Sequence, residues 1–349
     1  MLSRELRMNP QAKIEMNIDF KKYKKIEDRK LCPTKEVDAE HFMEPDLACF
    51  YYFYPKRFIL DAENFQKVYN CVHCNACLTS NSRYFLKRRL HQAGFKSKST
   101  EIMLESYRKF GTPFHQSKYR LKIPPEVSKD SDTLFFMGCL STIKVPRFTR
   151  SAIDYLLSKG VEFSVLETEI CCGLPLLDSG ETEMLDALME KNREIFNSGY
   201  KRIICLCPAC YDLFDNLYTN LKPELVYIAE LFKPLTQKRT ETLSIQHLCQ
   251  LLNRGYQYII PQVEQVLKES GFKIMENEKH WCCGGGMGIM HIEQTIEKIA
   301  RIRVNDFQGE LLTTYCPSCY HILKLFSRKE KIKPKLVDTF KLLTENRVE

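Results

Sequence analysis

Sixteen cysteines lie in a chain of 349 residues, and ten of them repeat at a fixed interval. Cys139, Cys171, Cys172, Cys207 and Cys210 form one set. Cys249, Cys282, Cys283, Cys316 and Cys319 form the other, at offsets of 110, 111, 111, 109 and 109 residues. Lys222-Pro223 with Leu225-Val226 recurs as Lys333-Pro334 with Leu336-Val337 at an offset of 111. Such self-similarity reads as two duplicated units, running roughly from 131 to 235 and from 241 to 345. Thiolates are nucleophiles and soft metal ligands. A long chain with no export signal can build a core without staples, so metal or catalytic use is expected here rather than disulfide bonding.

Each set has the pattern C-x(31–32)-CC-x(32–34)-C-x2-C. Zinc takes four ligands in a tetrahedron, commonly from two C-x2-C knuckles, so five thiols with an adjacent pair are one too many. Zinc in one half stays as the alternative. A cubane iron–sulfur cluster also takes four cysteines. Five suggest a larger or open cluster in which one thiolate bridges irons. Gly173 follows the first pair, and Gly284, Gly285 and Gly286 follow the second; they leave out Cβ atoms where backbone must come close. Their N–H groups could bond cluster sulfurs.

A second signature is Cys71-x2-Cys74-x2-Cys77. The fourth cysteine of the usual run would stand at 81, where the chain has Asn81. In two-cluster ferredoxins the fourth cysteine of each run serves the other cluster. Cys32-Pro33 looks like the end of a first run whose other three cysteines are missing. One cubane cluster is therefore expected, on Cys71, Cys74, Cys77 and either Cys32 or the competing Cys49. Cys205 alternates with Cys207 and reads as a core thiol. His73 reads as a loop residue rather than a ligand, His247 as a strand histidine or a support for Cys249, and Trp281 as a shield beside Cys282.

The elements that position these residues alternate between strand and helix. In the first unit, strands are expected at Thr133–Cys139, Val161–Leu166 and Arg202–Cys207, with helices after Pro146, over about 181–197 and from Pro208. In the second, strands are expected at Leu243–Cys249, Phe272–Met275 and Leu311–Cys316, with helices from Pro261, over about 291–305 and after Pro317. Proline suits the first helical position at each start. Alternating βα units imply a mostly parallel sheet, with sites beyond the carboxyl ends of its strands. All five cysteines of a unit should therefore converge on one edge of its sheet. Helices are expected around Cys71 and over about 100–110.

Met137-Gly-Cys139, Glu169-Ile-Cys-Cys-Gly173 and Leu206-Cys-Pro-Ala-Cys210 resemble the CCG (cysteine-rich) domain. His247-Leu-Cys249, Cys282-Cys-Gly-Gly-Gly286 and Tyr315-Cys-Pro-Ser-Cys319 resemble a second copy. This family includes the B and D subunits of heterodisulfide reductase and the iron–sulfur subunits of glycerol-3-phosphate, glycolate and lactate oxidation systems. The resemblance implies an α/β fold of two tandem Rossmann-like CCG domains with parallel sheets, at 131–240 and 241–349. Ahead of them it implies a small α-helical ferredoxin-like module at 31–122 and a basic segment at 1–30. It further implies a noncubane [4Fe-4S] cluster on each quintet. The two would deliver single electrons to the sulfurs of a substrate disulfide, supplied from the cubane cluster. The alternative is an electron-transfer subunit of a flavin-dependent dehydrogenase complex with no substrate site of its own. Implied partners are a flavin-containing or other electron-donor subunit and a membrane cytochrome subunit. Family members often carry His-Asp-Pro-Cys-His where this chain has His247-Leu248-Cys249-Gln250.

Hydrophobic residues make up 44% and charged residues 28%, a globular balance. No window offers 18 consecutive apolar residues, and the N-terminus has no apolar signal core, so a cytoplasmic protein is expected, reaching the inner face of a membrane only through a partner. The net charge is +8. Residues 81–122 alone carry 11 basic residues against Glu101 and Glu105. This stretch reads as a solvated helical face, or as a platform for an acidic partner or an anionic substrate. No nucleic-acid motif accompanies it.

Overall fold

The computed structural model describes residues 32–54, 62–74, 80–114, 121–277, 282–286 and 293–344. The segment 1–30, Cys77, Trp281 and the side chain of Cys49 lie outside the described residues. Two parallel sheets form the body. The first has strands β1 (Thr133–Phe136), β2 (Arg202–Cys205) and β3 (Glu224–Tyr227) in the order β1-β2-β3. The second has β4 (Thr242–Ile245), β5 (Lys273–Met275), β6 (Leu311–Thr314) and β7 (Lys335–Asp338) in the order β5-β4-β6-β7. The sheets are counterparts. Val161–Leu166, expected as a strand equivalent to β5, makes only a single parallel bridge, Leu134 to Ser164, on the same side of β1. Its Ser164 hydroxyl turns back onto the Ser131 and Thr133 carbonyls, so the pairing stops there.

Helices cover the sheets as the βα alternation requires. Pro146, Pro208 and Pro317 each open a helix at its first turn, where a missing N–H costs nothing. Pro261 differs: its helix is Ile259–Glu269, so proline is the third residue, still within the turn whose N–H groups have no internal acceptor. The expected helices at 181–197 and 291–305 are Glu183–Asn197 and Glu293–Asn305.

The two halves do not close separate cores. One apolar cluster runs from Leu134 and Phe136 in the first sheet through Tyr155 and Phe232 to Tyr315 and Phe340 in the second. Edge-to-face aromatic contacts join Phe148 to Phe340 at 5.1 Å and Phe232 to Tyr315 at 6.1 Å. Tyr227 donates across the seam to the Tyr315 carbonyl at 2.8 Å. Such pairs favour one relative placement of the halves beyond what area burial alone provides.

The N-terminal module is helical: Pro33–Val37, Pro45–Phe53, Ala62–Tyr69, Ser80–Gln92 and Lys98–Phe110. It packs on both halves. Gly180, in a left-handed turn, lets the first half touch the backbone of Lys87 and Arg88, where a Cβ would stand 2.5 Å from backbone atoms. Gly286 does the same in the second half, where a Cβ would meet the Val72 carbonyl oxygen at 1.9 Å. Among the described residues no helix is long and apolar enough to cross a membrane.

Candidate metal centres and the cleft between the halves

The cysteines expected to close strands stand two to four residues beyond them, at the starts of the next helices. Cys139 and Cys249 are first residues of Cys139–Lys144 and Cys249–Asn253. Cys207 and Cys316 are the residues just before Pro208–Asn216 and Pro317–Glu330. Each sulfur is thereby presented by a helix start at the carboxyl edge of a parallel sheet, where backbone N–H groups favour negative charge.

The sulfurs of each quintet come together. Cys139 Sγ lies 3.3 Å from Cys171 Sγ, and Cys249 Sγ lies 3.7 Å from Cys282 Sγ. Thiol hydrogen bonds continue the chain from Cys171 through Cys172 and Cys210 to Cys207, and from Cys282 through Cys283 and Cys319 to Cys316. Burial opposes a thiolate at Cys171, but bonds from Cys139, Cys172 and Tyr107 outweigh it and hold Cys171 well below the usual thiol range. Bonds from Cys282 and Cys319 do the same for Cys283. The ligand form of cysteine is the thiolate, so each half already favours one.

Backbone donors surround these sulfurs. Gly173 N–H donates to Cys171 Sγ at 3.5 Å, and Gly284 and Gly285 donate to Cys282 and Cys283 at 3.4 Å each. Gly173 and Gly284 take φ of 101° and 85°, left-handed values that suit glycine. A Cβ at Gly173 would stand 2.5 Å from Leu185. Sequence patterns miss several supports. Tyr107, from the N-terminal module, donates to Cys171 Sγ at 3.2 Å. Asn192 and Tyr218 donate to the carbonyls of Cys171 and Cys172. The Glu169 carboxylate accepts from Met137 and Gly138 N–H at 2.8 and 2.6 Å, fixing the turn before Cys139, while burial pushes its pKa up to about 8. Only Glu169 had a signal, two residues before the cysteine pair, and the repeat position in the second half is His280, so duplication could not flag it.

All ten cysteines line one open cleft. The two sets face each other, for the charge of Cys207 reaches Cys316. Cys205 lies outside the cleft, fully buried in the core. His247 is 3.0 Å from the Glu264 carboxylate and 3.4 Å from the Tyr315 hydroxyl, which accounts for its ring.

Cys71 and Cys74 are buried in the loop between Ala62–Tyr69 and Ser80–Gln92. Cys32 precedes Pro33–Val37 and stands close enough to feel the charge of Cys71. His73, between the two cysteines, has a φ of 47°, costly for a residue with a Cβ, and its N–H donates to Cys71 Sγ at 3.4 Å. Cys74 packs in one cluster with Val72, Cys282 and Ile299. Asn253 donates to the Cys74 carbonyl at 2.8 Å. This loop thus sits directly behind the second quintet.

The basic stretch 81–122 is not a simple solvated face. Arg83 and Lys87 are fully buried, and Arg89 and His91 nearly so. Arg83 Nη1 donates to Cys71 Sγ at 3.7 Å, and its guanidinium stacks 4.8 Å over Phe42. Lys87 Nζ lies 2.8 Å from His73 Nε2 and within reach of the charges of Cys71 and Asp178, while burial pulls its pKa down to about 8. Buried cations are unfavourable unless compensated. Here they face a group of thiols, which suits an anionic metal centre. The donor set therefore fits iron–sulfur ligation: thiols only, a thiolate favoured in each half, with N–H donors and cations around them.

The cysteine-rich domain called CCG matches residues 133–215 and 244–324. An uncharacterized iron–sulfur protein of Methanococcus maripaludis is 25% identical over 290 residues, covering 74% of this chain and 57% of that protein. The B subunit of a fumarate reductase (CoM/CoB) from Methanothermobacter marburgensis is 27% identical over 209 residues, 56% of this chain and 42% of that protein. An EtfAB:quinone oxidoreductase of Syntrophomonas wolfei is 29% identical over 223 residues, 56% of this chain and 31% of that protein. The chain spans less than two thirds of the length of each of these relatives. Each quintet stands on its own parallel sheet within one of these matches, so the chain carries two copies of the CCG cysteine-rich domain.

Proposed function

We propose that the chain is an iron–sulfur oxidoreductase of the heterodisulfide-reductase type, acting as part of a larger redox complex. Cys139, Cys171, Cys172, Cys207 and Cys210 would hold one noncubane [4Fe-4S] cluster, and Cys249, Cys282, Cys283, Cys316 and Cys319 a second. Cys71, Cys74 and Cys77 with Cys32 would hold a cubane cluster. Bound there, these groups supply one-electron transfer, two steps of which cleave a disulfide. The observation that carries this reading is the single open cleft lined by both quintets, which gives a disulfide a place between them.

The chain's own residues set the conditions. Leu140, Leu174, Pro208 and Pro317 make the cleft wall apolar and limit water. Glycine N–H groups and the Tyr107 hydroxyl stabilise charge on the sulfurs. Arg83 and Lys87 balance the charge at Cys71. The shared apolar cluster of Cys74 and Cys282 supports electron delivery from the N-terminal module to the second half.

A second reading, a relay without a substrate site, is favoured by the likeness to EtfAB:quinone oxidoreductase. Electron paramagnetic resonance of the anaerobically purified protein separates the two. Adding a small thiol or disulfide to the oxidised protein alters the signals of centres in the cleft if disulfides react there. Spectra unchanged by either addition would leave only the relay.

A further inference from the structure

Part of the charge at 81–122, Arg83, Lys87 and Arg89, is buried, and another basic face exists where the halves meet. Helix Pro317–Glu330 of the second half packs against Cys139–Lys144 and Pro146–Ser158 of the first. Its residues His321, Lys324, Leu325 and Arg328 follow three- and four-residue spacing and so share one side of the helix. Lys144 and Arg147 flank that side from the first half, close enough that Lys144 and Lys324 both act on His321, and Arg147 and Arg328 on Lys324.

Lys144, Arg147 and Arg328 are exposed, and none of these five basic residues pairs with a described carboxylate. Asp338, which acts on Tyr320 of the same helix, is buried and already engaged by Ser151 and the Lys341 N–H. Leu325, on the same side of the helix as Lys324 and Arg328, is 45% exposed, among the most exposed large apolar side chains described. An apolar centre within a charged rim is the anatomy of a protein interface. A small anion would need neither the leucine nor cations drawn from both halves.

The face is also close to the redox site. Lys144 Nζ lies 5.1 Å over the ring of Phe114, which lines the cleft. Leu325 is six residues past Cys319, about 9 Å along the helix axis.

We infer that the face formed by Lys144, Arg147, His321, Lys324, Leu325 and Arg328 docks an acidic redox protein and is an electron port separate from the N-terminal module. This rests on the reading of the second quintet as a redox centre. In each encounter the reduced partner loses one electron and that centre gains it; no proton or group is transferred.

The test uses the full anaerobic protein and a small acidic flavodoxin in its hydroquinone form, with semiquinone formation followed by stopped flow. The parent rate is expected to fall at least tenfold between about 20 and about 300 mM salt. The pair Lys144→Glu and Lys324→Glu should lower the low-salt rate at least tenfold, and Arg147→Glu with Arg328→Glu should do the same. Iron content and bleaching by dithionite should stay at parent values in both. Variants that bleach normally with dithionite yet accept electrons from flavodoxin at the parent rate would overturn the docking face. So would a flavodoxin rate insensitive to salt. A parent protein that holds no iron and does not bleach with dithionite would instead overturn the redox reading beneath it.

Discussion

Replacing Arg83 by Gln removes a fully buried positive charge whose Nη1 lies 3.7 Å from Cys71 Sγ. Two unit charges at that distance interact by about 4.5 kcal/mol at an effective dielectric constant of 20. An added electron spreads over a cluster rather than resting on one sulfur, so half of that, about 2 kcal/mol, is the working figure. Because 59 mV corresponds to about 1.4 kcal/mol for one electron, the N-terminal centre should fall by roughly 90 mV in reduction potential. The sign follows from charge: the cation stabilises the reduced, more negative state, and its loss makes reduction harder. Arg83→Lys keeps the charge and should move the potential by less than half as much. A redox titration monitored by electron paramagnetic resonance reads both variants, with iron content measured on the same samples. A shift under about 20 mV in Arg83→Gln at full iron content would refute the claim that this guanidinium tunes the centre.

Cys210→Ala should lose about four irons per chain, whereas Cys205→Ala, two residues before Cys207 but outside the cleft, should keep full iron and cost about 1 kcal/mol in stability. Gly286→Ala sets a Cβ 1.9 Å from the Val72 carbonyl oxygen, so it should free the Cys71–Cys74 loop and lose the iron of the N-terminal centre while both sheets stay folded, as read by iron analysis and circular dichroism. Burial pushes the Asp338 pKa up to about 6 from an ordinary 3.8, so its contribution to stability is present below the ordinary value and is lost as pH rises through about 6. Relative to Asp338→Asn, the parent should therefore lose about 1 kcal/mol between pH 5 and pH 7.5, measured by denaturant unfolding at both pH values.

Periodic features were legible in the sequence because a duplicated pattern and a βα alternation are local. The quintets, the parallel order and most helix starts at Pro146, Pro208 and Pro317 follow from them. The short strand at 161–166 was over-read, because its Ser164 hydroxyl competes for the carbonyls a ladder would use. Long-range supports were not legible: Tyr107 reaches Cys171 across 64 residues, and nothing near either residue marks the pair. The basic stretch was legible only in part for a related reason: Lys98, Arg108, Lys109 and Lys122 are exposed, but Arg83 and Lys87 are not. Composition counts Arg83 and Lys87 as charge but cannot say that helix Ser80–Gln92 turns them toward a buried cysteine loop. The basic face around helix Pro317–Glu330 combines residues from both halves and exists only once they pack.

Metal analysis of the chain purified without oxygen tests the central claim most directly. Two quintets and one N-terminal set, each holding a four-iron group, predict about twelve irons per chain and zinc far below one. About four irons accompanied by stoichiometric zinc would contradict it, because a half that binds zinc cannot supply one of two facing electron-transfer centres.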